Sequence, residues 1–262
     1  MSQDEIDGFE QALQIKKGSI SAIELVEQAI EETFGEILTY HNKICDARFS
    51  KCCGGMVEVF ENAWEPVNHP YLQKVFDGAQ EPADFDLNLE NEDASENWIL
   101  GQPDAYCNTH DKKVLSQVLN DYDQETNDFF RWEVQYTQKE VSELILKRIG
   151  IDFGLVQDFI TVERGVSGRL IKLKIVCTKK TMTLGKELEI RKALSESHLY
   201  SSAIVFEKTE LDGEIHFKLK GAGWGHGVGL CQIGAAVMGE KGHGYHQILN
   251  HYFIGAKLEK RY

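Results

Sequence analysis

Apolar residues at helical spacing, Leu25, Val26, Ala29 and Ile30, follow a capping box at Ser21-Ala22-Ile23-Glu24 and predict a helix that Gly35 can close. Glu36 to Tyr40 and Ile44 to Phe49 then predict a hairpin turned at His41-Asn42-Lys43, followed by a tight glycine turn at Cys52-Cys53-Gly54-Gly55. Val114, Leu115, Val118 and Leu119 mark a short helix. Thr137-Gln138-Lys139-Glu140 caps another, with Val141, Leu144, Ile145 and Ile149 on its inner face. From Leu155 to Lys220 the pattern turns to strands. Arg169 to Cys177 alternates, Met182-Thr183-Leu184 precedes a turn at Gly185, and Glu187 to Leu194 is a short helix. Ala203 to Phe206 and Ile215 to Leu219 form a hairpin turned at Asp212-Gly213. Strands mixed with short helices, without regular βαβ alternation, predict a mixed, strand-rich α+β fold ending in a glycine-rich segment.

That segment, Gly221 to Gln232, has glycine at every second position from Gly221 to Gly229. Were it extended, the glycines would share one face and Ala222, Trp224, His226, Val228 and Leu230 the other. Glycine weakens a strand, so such a run marks close approach of a ligand or of another backbone; the alternative is a glycine-kinked core strand. No register satisfies G-x-G-x-x-G and no G-K-[ST] follows, which argues against nucleotide binding. Trp224 offers a flat apolar face for a sugar ring or for the core. His226, between Gly225 and Gly227, is either a site residue or a satisfied turn histidine. Cys231 reads as a small buried thiol, since no acid or amide is evident to orient a Cys–His pair.

A net charge of −14 argues against nucleic acid and anionic membranes as partners, and no apolar run is long enough to span a bilayer. Met1 to Glu5 does not resemble a signal peptide. Val75 to Asp111 carries many acids and no lysine or arginine, and reads as a solvated acidic insertion. Beyond it, Phe129, Phe130, Trp132 and Tyr136 line either a sugar groove or the core. The six cysteines are too few for a disulfide scaffold and leave room for one bridge. Adjacent Cys52 and Cys53 depart from C-x2-4-C spacing, and although His243 and His246 are three apart, His246 and His251 are five apart and do not share a helix face. No metal or other cofactor is expected.

The string GAGWGHGVGLCQIGA with GYHQILNHYFIGAKLEKRY, and upstream Glu32 to Tyr40, Phe49-Ser50-Lys51-Cys52-Cys53-Gly54-Gly55, Trp64 and Pro70-Tyr71-Leu72, closely resemble the stage II sporulation protein D and amidase-enhancer (SpoIID/LytB domain) family. Ser167-Gly168-Arg169 and Glu189 to Leu194 resemble its intervening elements. The resemblance implies an exported or cell-envelope bacterial protein acting on peptidoglycan. It is either a lytic transglycosylase cutting denuded glycan strands or a non-catalytic glycan-binding protein that stimulates a cell-wall amidase. In the transglycosylase branch one glutamate acts as acid and then base while the muramic 6-hydroxyl closes an anhydro ring.

That glutamate lies upstream of the Thr-x-Gly block in the family, and the 32 residues before Thr33 contain no such Glu-x-Pro segment. A Cys/His cluster resembling a zinc site in some relatives has no counterpart there either. The chain is therefore expected to be a member lacking its amino-terminal part and inactive alone. Its expected segments are a partial family core over 1–77, an acidic and aromatic insertion over 78–136, and the remainder of the family domain over 137–262. Glu58, the acid nearest the glycine turn, is the surviving catalytic candidate, weighed against a solvated surface glutamate. The substrate-binding candidates are Trp224, His226, Gly225, Gly227, Gln232, Cys53, Gly54, Gly55 and Arg191. Arg191 would hold a muramic lactyl carboxylate or simply pair with a local acid.

Overall fold

The computed structural model describes residues 22–118 and 128–262. Ser21, Leu119 and the beginning of the aromatic stretch lie outside them. The described residues form two compact units, one of residues 22–45 together with Ala256–Tyr262, the other within Asp46–Gly255.

In the first unit, helix α1 (Ala22–Glu32) is followed by β1 (Glu36–Tyr40) and β2 (Lys43–Ile44). Tyr40 pairs with Lys43 across a two-residue turn whose residues, His41 and Asn42, both have positive φ, so the hairpin is tighter and its second strand shorter than expected. The carboxy-terminal strand β11 (Lys257–Lys260) pairs antiparallel with the other edge of β1, which brings it into this unit. The apolar stripe of α1 is not buried: Leu25, Val26 and Ile30 are exposed.

The second unit is α+β and strand-rich. It opens with β3 (Phe49–Ser50), one turn of helix α2 (Phe60–Ala63), α3 (Glu92–Leu100) and α4 (Lys112–Val118). Next come β4 (Arg131–Thr137), α5 (Gln138–Ile149), β5 (Val156–Arg164), β6 (Leu170–Cys177), β7 (Thr181–Leu184) and α6 (Glu187–Ala193). It ends with β8 (Ile204–Leu211), β9 (Glu214–Ala222), β10 (Leu230–Cys231), α7 (Gln232–Glu240) and α8 (Tyr245–Tyr252).

Two antiparallel sheets, ordered β4-β9-β8 and β5-β6-β7, carry the core. Val156, Phe159, Leu173, Ile175, Phe217 and Leu219 from these strands meet Val141 and Ile145 of α5 and Ile190 of α6. Helix α5 starts where the sequence predicts. Thr137 accepts from the Glu140 N–H while the Glu140 carboxylate accepts from the Thr137 N–H, and Gly150 ends the helix in the left-handed region.

The stretch read as a solvated acidic insertion is partly built into the fold. Asp77 is fully buried, and Glu92 at the start of α3 receives two short hydrogen bonds from Arg164, whose own side chain is buried in β5. Phe129, Phe130 and Trp132 are buried, so of the two readings of these aromatics the core holds for those three.

Candidate functional site at the glycine-rich segment

After Ala222 the chain leaves the sheet, and Gly223, Gly225, Gly227 and Gly229 all adopt positive φ. Alternating left-handed residues coil the segment, so the extended arrangement with one bare face does not form. What it approaches is the protein's own backbone. Trp224 and Cys52 exchange both backbone hydrogen bonds, at 2.7 and 3.0 Å, Glu58 N–H donates to Gly227, and Leu230 N–H to Arg48. Strands β3 and β10 extend the contact as a two-residue parallel pair. A Cβ on Gly229 would stand 2.1 Å from the Arg48 carbonyl oxygen, and one on Gly227 2.4 Å from the Arg169 guanidinium carbon. Glycine is required here by packing of chain on chain.

Arg169, almost fully buried, organises this contact. It donates twice to the Cys53 carbonyl at 3.1 Å, once to Gly225 and once to the Ser167 hydroxyl. Ser167 in turn donates its hydroxyl to Glu58 Oε2 at 2.6 Å and its N–H to the same oxygen at 3.1 Å. Glu58 Oε1 accepts from Asn62 Nδ2 at 2.8 Å and from the Val59 N–H at 2.9 Å. Glu58 is thus not a solvated surface residue. It is 1 % exposed, carries four donors, and the gap beside it, lined by Asn62, Ala63, Arg169 and Glu187, has no room for a water molecule. A general acid must be able to reach its substrate oxygen, directly or through one water. Nothing in the sequence marks Glu58 as buried; only Asn62, four residues on, hints at a local partner.

His226 is the joint of the outward-facing part. Its Nδ1 accepts from the Val228 N–H at 3.0 Å, and its ring meets Trp64 edge-on with centroids 4.6 Å apart. Burial, with the charges of Arg169, Arg191 and Arg48, lowers its pKa to about 3, against a smaller opposing hydrogen bond at the Phe49 backbone. The imidazole is neutral at physiological pH. Trp224 is half-buried, packed on Phe129 and Tyr200 at 4.9 and 4.6 Å, with the Lys51 ammonium 5.0 Å from the ring centroid. Trp64 is likewise half-buried, with the Arg48 guanidinium 4.4 Å from its centroid; Arg48 also pairs with Asp46. Two indoles, each flanked by a cation, therefore belong to this segment. Trp64, Arg48 and Lys51 carry no local signal of this neighbourhood, because contacts between chain positions well over a hundred residues apart bring them there.

Arg191 is not at this surface. It is buried, bonded to Glu187 at 3.3 Å and to the Leu199 carbonyl at 2.6 Å. Gln232 opens α7, with Cys231 as its N-cap. The turn at Gly54 and Gly55 is buried, Gly54 against the Gly223 backbone and Gly55 against Trp98. Cys53 faces inward, where its thiol, Cys107, Cys231 and Asp77 bring four possible metal donors within 4.8 Å of one another. Histidines supply none of that set.

A strand-rich α+β domain, closed by a coiled glycine segment against a Cys-Cys-Gly-Gly turn, is the class of protein so defined. Residues 58–229, about two-thirds of the chain, match the family described as domain of unknown function (DUF8618), and the chain belongs to that family. The amidase enhancer of Bacillus subtilis (strain 168) is 26% identical over 242 residues, which cover 88% of this chain and 32% of that protein. An uncharacterized protein of Brachyspira hyodysenteriae (strain ATCC 49526 / WA1) is 27% identical over 233 residues, 89% of this chain and 48% of that protein. The chain thus spans about a third to a half of the length of these curated relatives.

Proposed function

We propose that this chain binds peptidoglycan glycan strands at the surface of Trp64, Trp224 and His226 and, in the cell envelope, enhances a cell-wall amidase. The observation that carries the reading is the pair of cation-flanked indoles at the glycine segment. An indole face suits the C–H face of a pyranose, and Arg48 and Lys51 suit the lactyl and stem-peptide carboxylates of muramic acid. The relative named amidase enhancer supports the same direction. The four donors on Glu58 favour a structural role for this residue, so the lytic transglycosylase reading would need another glutamate facing the sugar.

Co-sedimentation with purified peptidoglycan, read beside mass spectrometry of the soluble products, tests the proposal. The chain is expected to pellet with the glycan, Trp64→Ala and Trp224→Ala to weaken pelleting by about 5–10-fold, and amidase-released peptides to increase on its addition. No anhydro-muropeptides are expected. Their appearance with the wild-type chain would overturn the non-catalytic reading in favour of the transglycosylase one.

A further inference from the structure

We propose that Cys53, Cys107, Cys231 and Asp77 bind one zinc ion in a closed, buried structural site beneath the glycine segment. Four separate stretches of chain converge here: the Cys-Cys-Gly-Gly turn, the start and end of the acidic stretch, and the N-cap of α7. All four residues are buried. The thiols of Cys53 and Cys107 lie 3.6 Å apart, and Asp77 Oδ2 is 3.3 Å from Cys53 Sγ. A tetrahedral zinc with Zn–S of about 2.3 Å and Zn–O of about 2.0 Å has S–S edges of about 3.8 Å and S–O edges of about 3.5 Å. Those two separations are within a few tenths of an ångström of such edges, and all four donor atoms lie within 4.8 Å of one another, so a small inward closure completes the set.

The surroundings match an anionic donor set. The Cys231 sulfur accepts from the Cys53 N–H at 3.2 Å and from the Gly234 N–H at 3.5 Å at the start of α7. Arg131 is a second sign. Its buried guanidinium donates to the carbonyls of Gly54, Trp98, Gly101 and Phe130, the first of them next to Cys53, and has no carboxylate partner among the described residues.

The cluster also has the outer support usual for a metal site. Asp77 Oδ1 accepts from the Tyr252 hydroxyl at 2.6 Å, and the Cys107 N–H donates to Oδ2 at 3.1 Å, which orients the carboxylate toward the sulfurs. Soft thiolates in a closed four-donor arrangement select zinc over magnesium or calcium, and the absence of an open position makes the site structural rather than catalytic. Bound zinc would tie together positions up to 178 residues apart. It would also brace the Cys53 carbonyl on which Arg169 rests.

The full chain, purified under reducing conditions, is loaded with Co2+ and then with Zn2+. One equivalent of cobalt is expected, with intense visible bands of tetrahedral geometry and near-ultraviolet thiolate charge transfer that zinc bleaches. Cys107→Ala should abolish the charge transfer, whereas Cys177→Ser, a buried thiol outside the cluster, should retain it. Because Cys107→Ala can fail to fold, alkylation of the wild-type chain with and without zinc gives an independent reading. Zinc should slow labelling of Cys53, Cys107 and Cys231 at least tenfold relative to Cys45 and Cys177. Absence of cobalt binding to the folded, reduced chain, protection mapped to other cysteines, or a Cys53–Cys107 disulfide in the native protein would each overturn the assignment.

Discussion

His226 is held neutral inside the fold, and that has a direct consequence for stability. Its folded pKa of about 3 lies below the value of about 6.5 for an unfolded chain. Between those values the unfolded state binds a proton that the native state does not, so stability falls as pH drops from 6.5 toward 3, by up to about 1.4 kcal/mol per pH unit from this residue. Urea titrations of wild type and His226→Gln across that window should show the wild type losing stability more steeply. Glu58 makes the complementary case. Replacing it with Gln turns one accepting oxygen into a donor facing donors, which should cost about 2–4 kcal/mol in chemical denaturation while leaving glycan pelleting of the folded fraction unchanged. A loss of pelleting without a loss of stability would return Glu58 to the binding surface. Gly229→Ala meets both a left-handed φ of 74° and the Arg48 carbonyl, and should destabilise by about 2 kcal/mol or more, read as a lowered Tm.

At the scale of elements, what the chain pattern predicted well is what local interactions decide. The Thr137–Glu140 capping box, the turn at Asp212-Gly213 and the alternation through β6 need no distant partner, and each forms. Thr137→Ala should lower stability by about 1 kcal/mol in a thermal melt, since it removes a cap on an exposed helix start without touching the core. The elements that escaped the pattern have other causes. The second strand of the first hairpin stops at Ile44 because Phe49 and Ser50 pair instead with Leu230 and Cys231, a parallel contact with no periodic signature. The glycine run fails as a strand because four of its residues take positive φ, which alternation alone does not report.

For the molecule as a whole, the surplus of acid makes the small basic spot at Arg48 and Lys51 matter for recognition. With a net charge of −14, attraction to glycan carboxylates is local and opposed at longer range. Co-sedimentation should therefore weaken only a few-fold on raising salt from low to physiological strength if stacking on the indoles dominates. A collapse of binding over that range would assign the interaction to charge alone. The sequence by itself determined the fold class, the capped helix at Thr137 and the turn at Asp212-Gly213, because these rest on propensity, periodicity and backbone sterics read within a few residues. Tertiary structure alone decided that Glu58 is buried under four donors, that Arg191 is buried with the local acid Glu187 rather than turned to a ligand, that Trp64 joins His226, and that Cys53, Asp77, Cys107 and Cys231 meet. Those contacts join positions that lie many residues apart, or depend on burial, and packing rather than pattern brings them together.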